Sequence, residues 1–397
     1  MSTPIEQLCF NPSLPDFNPG IAYRTCKRGF QGCPTLLRTP KGTLYAGWTA
    51  GGPGEGLLNY NLLVKSVNDG ISWSPEPLMV IPSQTEKRIQ ALDPEFWLDP
   101  LGRFWFFWTQ RDHNIPWEDD RHFSVWAIVC DDPDAETLQW SEPRYISPGF
   151  LRCQPTVLRD GRWLLCAYQS LRDRYYYTET ADQGKTFFRR IGGKKCKTWF
   201  DETQILERQD GSLWMLARTL GLGYVAESVS TDGGGSWSDG RLTDIPNPGS
   251  RFYVGRLQSG RVLYVSNLDQ KTRIGMTAML SEDDGKTWPY KLALDPRLCT
   301  YPDAIQSPTG EIYIVHDNSR VDTKEILFYK LTEEDIMQGR DESGNWRSKD
   351  SYFRQIVNKA PAQPDLTEAE KALFAKYPKF PDHPTKTIAE LEALYLQ

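Results

Sequence analysis

No stretch of this 397-residue chain approaches the run of ~18 or more apolar residues that a membrane-spanning helix requires. There is no basic block either, and the net charge is −6, so neither nucleic acid nor a membrane surface is expected as a partner. The eight cysteines, at 9, 26, 33, 130, 153, 166, 196 and 299, form no CxxC pair and have no zinc-ligand spacing. They read as reduced, buried thiols. Residues 1–7 lack a basic start followed by an apolar core, so the expectation is a cytoplasmic protein, or a secreted one if a leader was removed. With 39% hydrophobic and 25% charged residues, disorder and collagen are excluded. The length allows one large domain or two ordinary ones. What is abundant is aromatics, at 12%, together with 31 Gly and 28 Pro, which points to short strands and tight turns.

An internal repeat organises the chain. Ser66-Val-Asn-Asp-Gly-Ile-Ser-Trp73, Thr180-Ala-Asp-Gln-Gly-Lys-Thr-Phe187, Ser230-Thr-Asp-Gly-Gly-Gly-Ser-Trp237 and Ser281-Glu-Asp-Asp-Gly-Lys-Thr-Trp288 share the form Ser/Thr-x-Asp-x-Gly-x-Thr/Ser-aromatic, with Asn68 replacing Asp in the first. Their starts lie 114, 50 and 51 residues apart, and the long gap holds a degenerate copy at Asp131–Trp140. In each box a short acid can cap its own turn, Gly supplies a positive φ, and the aromatic packs back between strands. Upstream of each box lies an apolar strand, a turn with Gly and another apolar strand, as in Thr35–Leu37, Lys41-Gly42, Leu44–Trp48. Six such units of four short strands predict an all-β, six-bladed β-propeller over 30–358. Residues 1–29 are expected to pack on the ring, and 359–397 to form a helical tail with helices at Leu366–Tyr377 and Thr387–Leu396.

Propeller geometry narrows the search for chemistry. The innermost strands start on one face, and the connections between second and third strands return to it. The strand starts read Cys33-Pro34, Asp93-Pro94-Glu95, Gln154-Pro155, Asp201-Glu202, Arg251 and Tyr301-Pro302-Asp303. The connections carry Glu55, Arg111 and His113, Arg172 and Arg174, Arg218, Lys271 and Arg273, and Asp317 and Arg320. Carboxylates, arginines and a tyrosine thus converge at one mouth, and Arg is suited to gripping a carboxylate bidentately. On residues alone, Tyr301 also fits a core-strand tyrosine, and Glu202 with Arg218 fits an ion pair within one blade.

The boxes, the six units and the run Asp201-Glu202-Thr-Gln…Gly211-Ser-Leu-Trp-Met-Leu-Ala-Arg218 resemble the sialidase superfamily over roughly residues 30–330. That resemblance implies that Glu202 matches the family glutamate, Arg218 and Arg273 match arginines gripping the substrate carboxylate, and Tyr301 matches the tyrosine nucleophile. The chemistry is coherent: an anionic sugar repels a carboxylate nucleophile, and a phenol with a pKa of about 10 attacks once a base such as Glu202 takes its proton.

The sequence also departs from the family. Where sialidases carry an Arg-Ile-Pro motif, this chain reads Phe30-Gln-Gly-Cys-Pro34, with Gly32 at the arginine position; Arg24 or Arg28 is the nearest replacement. The family's acid/base aspartate has no clear match, leaving Glu55 in a glycine-rich loop or His113 as proton donor. The substrate-binding set is expected to comprise Arg218, Arg273, Arg251, Asp93, Gln154, Asp303 and Arg28. The expected activity is exo-acting, cofactor-independent glycoside hydrolysis at a terminal carboxylated sugar, sialic-acid-like or a uronic acid, on an acidic oligosaccharide or glycoconjugate. Two alternatives stay open. A uronate lyase would neutralise the carboxylate with Arg218 and Arg273 and use Tyr301 or His113 as base. A non-catalytic propeller would bind glycans.

Overall fold

The computed structural model describes residues 11–116, 119–198, 200–339 and 353–378. It is all-β, with strands in consecutive antiparallel order within each sheet. Four sheets have four strands, starting at Gln31–Arg38, Ile89–Leu98, Thr156–Val157 and Gln204–Glu207. The fifth has seven strands and starts at Tyr253–Arg256. Within it the 17-residue strand Tyr290–Gln306 pairs on one side through Tyr290–Leu298 and on the other through Cys299–Gln306.

The first strands of the first and second, third and fourth, and fourth and fifth sheets contact one another, which places them at the centre of a propeller-like ring. The ring closes between its first and last sheets: Gln31 N donates to the Arg320 carbonyl (3.0 Å), and Cys33 N to Asp317 Oδ2 (2.8 Å). Apolar side chains fill the spaces between adjacent sheets. Phe96, Phe104, Phe106 and Trp108, for example, pack against Leu37 and Leu63 of the sheet before.

Each box lies between the third and fourth strands of its unit. In the last one, Asp283 Oδ1 accepts from Ser281 Oγ (2.8 Å) and Thr287 N (2.8 Å), and Oδ2 accepts from Thr287 Oγ1 (2.7 Å). Asp182 and Asp232 repeat these bonds. The box aromatics reach neighbouring sheets: Trp73 sits edge-on to Phe328 (5.5 Å) and Trp237 to Tyr177 (5.7 Å). Box glycines are obligatory. Gly285 has φ +86°, and a Cβ there would lie 2.6 Å from the Trp214 ring. Asp283→Ala removes three local bonds and is expected to lower unfolding stability by about 1 kcal/mol or more in urea titration, with turnover unchanged.

The expected tail helix appears at Glu368–Lys376, capped by Thr367 with Glu370 in a capping box. The helix expected at Thr387–Leu396 lies outside the described residues. The tail meets the N-terminal segment, where Lys27 Nζ pairs with Glu370 (3.0 Å) and Asp365 N donates to the Cys26 carbonyl (2.8 Å).

Candidate active site

Four residues on or just before innermost strands have left-handed backbone conformation: Cys33 (φ +61°), Asp93 (+52°), Glu202 (+39°) and Tyr301 (+55°). Non-glycine residues hold that conformation at a cost of about 1–3 kcal/mol each, and only where the surroundings impose it. The pairing register shifts beside three of them, between Gly32 and Thr35, Leu92 and Pro94, and Thr300 and Asp303. The inner strands are therefore bent out of the regular ladder at these points, and all four residues bring ionisable side chains into one cluster, Cys33 Sγ lying 3.7 Å from Arg320 Nη1.

Tyr301 Oη donates to Glu202 Oε1 over 3.3 Å, and Arg218 Nη1 holds the same oxygen at 3.0 Å. Burial alone would raise the Glu202 carboxyl, but Arg218 and Arg152 outweigh it and bring the group below its ordinary value. Burial, and then the Glu202 charge, push the Tyr301 phenol up. The resting pair is thus a neutral phenol facing a carboxylate, which suits a nucleophile waiting for its base. Arg273 closes one side. Its Nη2 donates to the Gly249 carbonyl (2.9 Å), and among the described residues it has no carboxylate partner.

Two further arginines complete the group. Arg152 stacks over the Tyr301 ring at 4.6 Å, pairs through Nη1 with Asp93 Oδ1, and brings Nε to 3.9 Å from Glu202 Oε1. Arg320 lies over the same ring at 5.1 Å and pairs with Glu55 Oε1. Four guanidinium groups therefore surround one phenol. Arg320 also explains Gly32: a Cβ there would lie 2.3 Å from Arg320 Cδ and 2.5 Å from Cγ. The space beside position 32 is thus taken by an arginine from the connection between Ile312–Asn318 and Glu325–Leu331. Gly32→Ala would push that side chain aside, so KM for an acidic substrate is expected to rise about tenfold or more, with kcat nearly unchanged in steady-state kinetics.

The other residues singled out in the sequence divide. Asp93 joins the cluster. Glu55 stands at its rim, its side chain 40% exposed and tied to Arg320. Gln154 is half-buried, donating Nε2 to the Leu36 carbonyl (3.2 Å). Arg251 and Asp303 lie one step further along the inner strands, where Arg251 Nη2 meets Glu95 Oε2 (3.2 Å) and Asp303 Oδ1 (3.6 Å) in full burial. Arg28 is not a replacement for the missing arginine. It is buried in the seam between the N-terminal segment and the ring, bound to Tyr60 Oη (3.1 Å), Gln31 Oε1 (3.1 Å) and Asn358 Oδ1 (3.2 Å). His113 sits in a different group. Its Nε2 meets Gln90 Oε1 (3.0 Å), and burial with Arg111, Arg88 and His122 pushes it down to about 2, so at neutral pH it is the neutral imidazole and not an imidazolium acid. Gln90 in turn donates to Asn59 Oδ1 (3.0 Å), and Asn59 holds the Gly51 and Gly54 carbonyls, so His113 helps order the loop bearing Glu55.

Fold and site together define a propeller-like β protein whose ring positions a tyrosine–glutamate pair among arginines. The chain belongs to the family described as BNR repeat-like domain, whose model matches residues 42–314, within the sialidase superfamily. It is 26% identical over 147 residues to a sialidase of Micromonospora viridifaciens, a stretch covering 34% of this chain and 22% of that enzyme. Among solved structures, a Hadza microbial sialidase superposes with a TM-score of 0.63 at 20% identity, over 77% of this chain and 66% of its own. The intramolecular trans-sialidase from Ruminococcus gnavus, in complex with oseltamivir carboxylate, gives 0.61 at 16% identity over 81% and 98%.

Proposed function

We propose that the protein is an exo-acting, retaining glycoside hydrolase for a terminal sugar bearing a carboxylate, and that its ring has six blades, the seven-stranded sheet being two blades joined through Tyr290–Gln306. The observation that carries the reading is the 3.3 Å contact of Tyr301 Oη with a Glu202 carboxylate fixed by Arg218. Arg218, Arg273 and Arg320 grip the sugar carboxylate and set the ring over the phenol. As Tyr301 Oη bonds to the anomeric carbon its proton passes to Glu202, and the exocyclic C–O bond breaks with a proton supplied to the leaving oxygen. Water then attacks the anomeric carbon, the Tyr301–sugar bond breaks, and Glu202 returns its proton to the phenol. Hydrolysis at a chain end of an acidic oligosaccharide fits a site at the mouth of a closed ring.

The test is to incubate the protein with 4-methylumbelliferyl glycosides of sialic acid and of uronic acids and to follow the product by NMR. Release of the free sugar with its anomeric configuration retained is expected. Inversion would remove the covalent intermediate, and a product carrying a C4–C5 double bond would turn the assignment to elimination. Tight binding with no product from any acidic glycoside would leave a lectin.

A further inference from the structure

Asp93 resembles Glu202 and Tyr301 in its setting: a buried residue in left-handed conformation, on or beside an inner strand. Its two oxygens are treated differently. Oδ1 is taken by Arg152, whereas Oδ2 has no hydrogen-bond partner although no water reaches it. A buried carboxylate oxygen left in this way is costly unless it carries a proton or meets a substrate hydroxyl. The other carboxylate at the mouth, Glu55, is the more exposed of the two, its side chain 40% open at the rim and ion-paired with Arg320.

Resting on the hydrolase reading above, we propose that Asp93, not Glu55, is the proton donor to the leaving oxygen, with Arg152 as the positioning residue that turns Oδ2 towards the scissile bond. Arg152 spans both halves of the reaction, since the same guanidinium holds Asp93, approaches Glu202 and stacks on the nucleophile's ring. In the first step the Asp93 Oδ2 proton moves to the departing glycosidic oxygen, yielding the free alcohol and an Asp93 carboxylate beside Arg152. In the second, that carboxylate takes a proton from the attacking water, which restores the acid. Burial supports the assignment by pushing the Asp93 carboxyl up to about 6, within reach of protonation in mildly acid solution, despite the opposing pull of Arg152.

The experiment uses two glycosides of the same acidic sugar. One has a nitrophenyl leaving group, which departs without a proton, and the other an alkyl leaving group, which does not. Asp93→Asn should lose ~10²-fold or more of kcat/KM on the alkyl glycoside and less than ~10-fold on the nitrophenyl one. Glu55→Gln should lose a similar factor on both. The unmodified protein gives a check that needs no variant: the alkaline limb of its pH profile should be present with the alkyl substrate and absent with the nitrophenyl substrate. Equal loss by Asp93→Asn on both substrates, or a split that follows Glu55→Gln, would overturn the assignment while leaving the hydrolase intact. Cleavage of neither substrate by the unmodified protein would end both readings.

Discussion

Tyr301→Phe should reduce kcat on an acidic aryl glycoside by at least ~10³-fold while leaving the affinity for the free acidic sugar within about threefold. Phe keeps the ring that Arg152 and Arg320 cover, at 4.6 and 5.1 Å, so the walls of the site hold their places. It removes only Oη, the atom that donates to Glu202 and that the proposed reaction uses as nucleophile. The Glu202 carboxylate keeps Arg218 at 3.0 Å and stays compensated, so the fold is not asked to bury a bare charge. Turnover by fluorescence and affinity by calorimetry separate the two effects. A variant that still turned over at the wild-type rate would exclude a tyrosine nucleophile. Equal losses in kcat and affinity would assign Tyr301 to binding alone.

What could be read from the chain in advance follows the range of the interactions involved. The boxes are closed by bonds spanning two to four residues, so their Ser, Asp, Gly and Thr stand together in sequence and announce the strand order. Glu202, Arg218, Arg273 and Tyr301 were legible because strand starts and return connections recur at the repeat period. Arg152 was missed because the third inner strand is only Thr156–Val157, and its charged residue comes from the irregular segment before the expected start. Arg320 stood among the connections, but its task depends on the absence of a side chain at Gly32, a contact made only when the ring closes. Arg251 and Asp303 looked equivalent to the site residues in sequence. Alternation along a strand sends every second residue to a different place, and two positions beyond Tyr301 the same face has already entered the core. His113 looked like a proton donor because sequence position says nothing of the burial and neighbouring cations that keep it neutral.

The largest stability effect is expected from that buried layer. Thr35 Oγ1 lies 3.2 Å from Glu95 Oε1 and 2.9 Å from Asp303 Oδ2, and it accepts from Phe96 N at 2.9 Å. One hydroxyl has one proton to donate. The arrangement is satisfied when Thr35 donates to Asp303 and a protonated Glu95 donates to Thr35, which agrees with burial and the Asp303 charge holding the Glu95 carboxyl well above its ordinary value. Arg251 supplies the charge opposing that rise. Arg251→Met leaves two buried carboxyl groups without a cation, and a loss of about 3–5 kcal/mol at neutral pH is expected. Both folded carboxyls titrate above their unfolded values of about 3.9–4.3, so their stabilising contribution is complete below that range and fades as pH rises through the folded values. Without Arg251 the folded values move higher still, which widens the window over which stability is lost. The deficit of the variant should therefore be smaller at about pH 5 than at about pH 8 in denaturant titrations. An equal deficit at both, or a larger one in acid, would mean that Arg251 acts through packing rather than charge. The layer would then be a filled core position, and the shared proton between Glu95 and Thr35 would not be what holds the inner strands in register beneath the site.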